Sequence, residues 1–227
     1  MRYSREHKAE THARIVRKAS VLLRERGVHG VGVAELMKEA GLTHGGFYAH
    51  FASRDALLVE AVAHAMDRSI GYWRKTTEAE PGQAGLAAIV DAYLTPAHRD
   101  DPGYGCAIAA LGAEIAREGA DARRMFAAKL EEMVSVLAAE IEGASAPAAR
   151  SAAIATLAQM TGALVLARAA GGGVFSNEIL AVVRDRALAD ASLPKPVARK
   201  PVARKPVAKK SIADAPAAKP PRRKAKS

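Results

Sequence analysis

Between Gly119 and Gly143 the apolar residues Phe126, Leu130, Met133, Val134, Leu137 and Ile141 recur at intervals of one, three and four. Such spacing returns each side chain to one face of an α-helix, which turns once in about 3.6 residues. The rhythm repeats at Ile15, Ala19, Leu22 and Leu23, at Val33, Leu36, Met37 and Ala40, and at Leu57, Leu58, Ala61 and Ala65. No run alternates as a half-buried strand would, and an alanine-rich chain with 4% aromatics favours closely packed helices. The fold class is therefore all-α.

Punctuation places the elements. Gly27 closes the first helix and Gly41 the second, while Ser53 is a plausible N-cap with Asp55 in the first turn behind it. The helix that follows runs to about Arg74. Pro81-Gly82, "TPAHRDDPGYG" (95–105) and "GGG" (171–173) separate further helices near 83–94, 105–118, 121–142, 147–170 and 177–190.

The net charge of +10 is unevenly spread. Residues 193–227 hold twelve Lys/Arg against Asp214 alone, residues 1–56 carry +4, and residues 57–192 carry −5. The chain thus has a basic head, an acidic body and a very basic tail. In the tail "KPVAR", "KPVAR" and "KPVAK" repeat at 195–199, 200–204 and 205–209. Proline every fifth residue and little apolar mass predict a disordered, extended segment over 193–227. Its cations suit sequence-independent phosphate binding, and a merely solubilising role is the alternative.

A single cysteine excludes an intrachain disulfide, and no secretory leader is recognisable, so a cytoplasmic, nucleoid-associated location is expected. The uncharged run "SAAIATLAQMTGALVLA" after Arg150 is diluted by Ser151, Thr156, Gln159 and Thr161, which favours a buried helix over a membrane span. Gly30-x-Gly32 lacks the third glycine of a dinucleotide loop, and P-loop, nucleophile-elbow and zinc-helix patterns are missing. No catalytic residue, metal site or cofactor is expected.

Three short helices with a tight turn before the third describe a helix-turn-helix unit over about 32–51. Gly41 ends one helix, Leu42 points inward, and Thr43 caps the next, placing Phe47 and Phe51 on a shared core face. His44, Tyr48 and the backbone at Gly45 then face outward. Glycine in a recognition helix lets the backbone approach nucleic acid with no Cβ in between.

The stretch "GLTHGGFYAHFASRDALLVEAV", with "RIVRKASVLLRERG" and "VAELMKEAG" before it, resembles the signature of the TetR family of transcriptional regulators. The resemblance implies DNA contacts from Thr43, His44, Gly45 and Gly46, phosphate contacts from Tyr48 and His50, and Arg54 close to the DNA backbone. Gly46 and Gly32 depart from the commoner Ser, Thr or Ala and Ser or Thr of the family. Few side chains are then left for direct readout, which shifts weight to His44, Thr43 and DNA shape. Tyr48 as surface cover and His50 as an interhelix bridge are the bland alternatives. Arg2, Arg5 and Lys8 are either a minor-groove arm or a frayed end.

The family resemblance further implies a DNA-binding domain over 9–69 and a helical effector-binding and dimerising domain over 70–192. Trp73, Tyr93, Tyr104, Cys106, Met125 and Met133 are candidate cavity groups, being amphipathic or polarizable, with ordinary core as the alternative for each. Cys106 opens a helix and is either a reactive thiol or a structural one. The last two helices are the expected dimer interface, through Ile154, Leu157, Thr161, Leu164, Val165, Ile179 and Val183. The expected partners are palindromic double-stranded DNA, an unknown small-molecule effector and a second copy of the chain, with no membrane. A ligand-released repressor is the first expectation. A DNA-coating protein without effector and an enzyme or carrier with a structural head compete with it.

Overall fold

Helices α1 (Arg5–Arg26) and α2 (Val33–Glu39) end where the sequence marks them. Gly27 (φ +81°) and Gly41 (φ +72°) turn the chain into the left-handed region, which strains an L side chain. The computed structural model describes residues 5–191. A 3-10 helix, His44–Ala49, follows α2, and α3 (Arg54–Ala79) starts at Ser53, whose hydroxyl oxygen accepts the Ala56 amide at 3.0 Å.

The remaining elements are α4 (Gln83–Tyr93), α5 (Pro96–Asp100), α6 (Ala107–Ile115), α7 (Ala120–Ala139), α8 (Ala146–Ala169) and α9 (Gly173–Ala191). The protein is all-helical, with no strand among the described residues. Three boundaries differ from expectation. α3 runs five residues past Arg74, to Ala79, and stops at Glu80, the residue ahead of Pro81, where a proline disfavours further helix. α5 lies inside the stretch read as punctuation: Thr95 accepts the His98 amide at 3.2 Å and Pro96 takes the first turn, where its missing N–H costs nothing. Gly173 belongs to α9 instead of separating it. Arg5 and Lys8 sit in α1, so they form neither an arm nor a frayed end, while Arg2 and the basic tail lie outside the described residues.

One apolar core joins Ile15, Met37 and Phe47 to Met66, Leu86, Leu111, Leu137 and Met160. α3 passes through position 70 unbroken, so the head and the body share a helix. α8 is long and apolar enough to cross a membrane by length and composition, with a mean hydropathy of 1.4. Here one face, with Ala149, Ala153, Leu157, Met160 and Leu164, is buried in the core it shares with neighbouring helices, while Ile154, Val165 and Leu166 are exposed.

Candidate nucleic-acid interface and effector cavity

The third head helix exists, but as a tight 3-10 helix of six residues instead of an α-helix. Two adjacent glycines weaken α-helical preference, and the following Phe51 must also reach the core. Phe47 (1% exposed) stacks on Phe51 with centroids 5.6 Å apart, and His12 of α1 also stacks on Phe51, at 4.4 Å. These rings fix the outer surface. Tyr48 is 72% exposed and leans edge-on against Phe47, with Thr43, His44 and Gly45 open beside it.

Three of the residues expected at the DNA also have local roles in the head. Thr43 makes no side-chain cap; its carbonyl accepts the Gly46 amide instead, because a 3-10 turn closes after three residues. Arg54 is turned inward, its Nη2 donating to the Val28 carbonyl and tying α3 to the turn behind α1. His50 is half-buried, with Nδ1 enclosed and unpartnered. Burial holds its pKa below the ordinary histidine value, with His12 and Lys8 adding to the effect.

The body has an open cavity of about 390 Å³ between α3, α4, α5 and the loop ahead of α6, within the usual range for small-molecule sites of roughly 300–1,000 Å³. Trp73, Tyr93, Tyr104 and Cys106 line it as expected. Met125 and Met133 do not: Met133 is 1% exposed in the core and Met125 packs against that core, where the α7 stripe faces its neighbours. Arg68, Tyr72 and His98 line the cavity unforeseen. Ala65, Arg68, Ser69, Tyr72 and Trp73 follow the 3–4 rhythm of one α3 face, a signal present in the sequence but obscured by its mixed polarity.

His98 is committed at both nitrogens. Nδ1 donates to the Tyr93 carbonyl at 2.7 Å and Nε2 accepts the Cys106 amide at 2.9 Å, which fixes the neutral tautomer. Burial lowers its pKa. The same amide contact anchors the start of α6, where the Cys106 thiol is buried.

The cavity loop is bolted to the head. Arg24 of α1 is 4% exposed, and its Nε and Nη2 both donate to the Gly103 carbonyl, the former at 2.8 Å. Burial pushes its pKa down to about 10. Glu114 of α6 accepts the Val28 amide at 2.6 Å, a second bond between body and head.

On the opposite helices, Leu157 and Leu164 are buried within the protomer by α9 and the core, so they cannot meet a partner. Ile154 and Val165 are exposed, Thr161, Ile179 and Val183 are half-buried, and the sequence reading missed exposed Leu166, Phe175 and Val182.

A family model described as bacterial regulatory proteins of the tetR family matches residues 15–61, which span α1 to the first part of α3. An HTH-type transcriptional regulator of Mycobacterium tuberculosis is 32% identical over 164 residues, covering 68% of this chain and 82% of that relative. The chain belongs to the TetR family. It is accordingly a bacterial transcriptional regulator with a helix-turn-helix DNA-binding head. Other TetR-family structures share its fold. A regulator from Agrobacterium tumefaciens superposes with a TM-score of 0.69 at 18% identity, covering 80% of this chain and 97% of that one. FadR of Bacillus subtilis, solved with stearoyl-CoA, gives 0.61 at 16%, covering 78% and 98%.

Proposed function

We propose that this TetR-family protein is a dimeric repressor that holds a palindromic operator and releases it when a small molecule enters the body cavity. Adjacent Phe47 and Tyr48 carry the reading: one is sealed in the core and the other projects from a surface with exposed backbone at Gly45. A major-groove reader needs that rigid, protruding edge. Thr43, His44, Gly45, Gly46, Tyr48 and His50 supply it, and Arg54 acts by bracing the head.

The cavity and the head are not independent. A ligand that moved the Gly103 loop would pull on α1 through Arg24, shifting the equilibrium by its differential affinity for the two arrangements. Residues 9–69 read the DNA, residues 70–192 bind effector and partner, and the protein works in the cytoplasm.

Selection from random DNA tests the reading. An inverted repeat is the expected product, and Tyr48→Ala weakens binding to it by about 1.5 kcal/mol or more, roughly tenfold, with an unchanged melting temperature. Recovery of no coherent sequence would sink the repressor.

A further inference from the structure

The cavity walls send a mixed message. Tyr72, Trp73, Tyr93 and Tyr104 surround it with aromatic surface, which by itself suits a cation. Arg68 reverses that preference. Among the described residues it is the one ionised side chain lining the cavity, since His98 is held neutral and no described carboxylate lines it. The Arg68 guanidinium lies 5.4 Å over the Tyr104 ring, and no described carboxylate pairs with it.

Arg68 and Tyr104 also border a second depression, a groove of about 540 Å³ along α1. Arg14, Arg17 and Lys18 line this groove without carboxylate partners among the described residues, and Arg26, also there, pairs with Glu35. Glu25 and Glu39 are the acids facing it. Asp67, next to Arg68 in sequence, is taken by Lys129, and Asp101 caps the Tyr104 amide at 3.1 Å. The excess of positive charge is felt at His64 in the same groove, whose pKa is lowered by burial, then by Arg68, Arg24 and Arg17. These cations line a groove that meets the cavity at Arg68 and Tyr104, beside a body segment whose own net charge is −5.

We infer that the ligand of this cavity is an amphiphilic anion: an apolar or aromatic body packed against Trp73 and Ile89, with a carboxylate or phosphate head at Arg68, facing the Arg17 side. This rests on the regulator reading and names the ligand class of its cavity. An unpaired guanidinium gains a charge-assisted bond from such a head, whereas a cationic ligand meets like charge and a neutral one leaves the guanidinium as it was. Tyr104 lines both depressions and is the neighbour of Gly103.

Trp73 is the single tryptophan of the chain and lines the cavity, so its emission reports occupancy directly. The full-length protein is titrated with decanoate, 1-decanol and decyltrimethylammonium, each below its micellar concentration. Decanoate is expected to bind at least tenfold more tightly than decanol, with the ammonium weakest. Added KCl weakens decanoate and spares decanol. Arg68→Gln brings decanoate down to the affinity of decanol, and Arg68→Lys restores most of the difference. Absence of decanoate binding, equal affinities, preference for the ammonium, or an order untouched by Arg68→Gln would each overturn the inference. Should Arg68→Gln fail to fold, the salt dependence and the Arg68→Lys variant decide. An Arg68→Gln or Arg17→Gln change that weakens DNA binding alone identifies the groove as a DNA-phosphate contact and also overturns it. Operator release is scored separately: anion binding without release leaves this inference standing and removes the effector-release reading, while release by a neutral compound does the reverse.

Discussion

At the scale of single residues, Gly45 separates folding from function. A Cβ built there meets nothing within 4 Å, so the protein itself has no need of glycine. Gly45→Ala should stabilise the fold by about 0.4–1 kcal/mol by restricting the unfolded chain. If the backbone lies against DNA, the same methyl group costs operator affinity about 1–3 kcal/mol, the size of a base-edge contact. A raised melting temperature with weakened operator binding is the expected pair of results. Unchanged operator binding would show that the DNA keeps its distance from this backbone.

The histidines give a second residue-scale prediction. His50, His64 and His98 all have pKa values lowered first by burial. In the unfolded chain they take up protons near pH 6.5, before the folded protein does. Below that pH the unfolded state binds more protons, so their contribution is complete above about pH 6.5 and is lost as pH falls toward the folded values. At His98 an added proton would also set N–H against the Cys106 N–H. Urea midpoints should be level from pH 8 to 7 and decline from about 6.5 downward. A level profile to pH 5.5 would contradict this.

At the scale of elements, Arg24 joins α1 to the loop ahead of α6. Arg24→Met keeps the stem and removes the donors, leaving the Gly103 carbonyl short of partners. A loss of about 1.5–3 kcal/mol in chemical denaturation is expected, the usual range for bonds to a charged group. Effector-induced release of DNA should weaken more than DNA binding itself. Equal effects on both would make Arg24 a simple brace.

Elements were also the level at which the sequence was most informative. Helical rhythm, the glycine stops and the Ser53 cap are local signals, so α1 to α4 and α6 to α9 could be read directly. α5 was hidden because proline and glycine crowd around a helix of only five residues. The cavity was half legible. Tyr93, Tyr104 and Cys106 announce themselves by type, but Arg68 and His98 reach it through the packing of α3 against α4 and α5. Met125 and Met133 have the right chemistry on the wrong face of α7. The buried Leu157 and Leu164 show the same limit: an apolar stripe does not say whether its cover comes from the same chain or from another.

At the scale of the whole molecule, exposed Leu166 (60%) and Phe175 (66%) lie on the last two helices with Ile154, Val165 and Val182. Apolar surface of this kind on an otherwise well-packed body calls for a partner, and a second copy is the symmetric solution. Leu166→Glu/Phe175→Glu should convert a dimer to a monomer by analytical ultracentrifugation and reduce affinity for an inverted repeat more than for a half-site. Persistent dimers would place the interface elsewhere.

The grip of Arg24 on Gly103 falls on main chain, as does that of Glu114 on Val28. A peptide carbonyl or amide is offered by almost any residue, so the lining at Tyr104 or Cys106 can drift to suit new chemicals while the mechanical connection survives. At Gly103 itself a Cβ would come within 2.5 Å of the Glu25 carboxylate, so that exposed side chain would have to swing aside. If the protein releases its operator to an effector as proposed, such an arrangement lets its descendants acquire new inducers by changing a few side chains, without reinventing how the message reaches the genome.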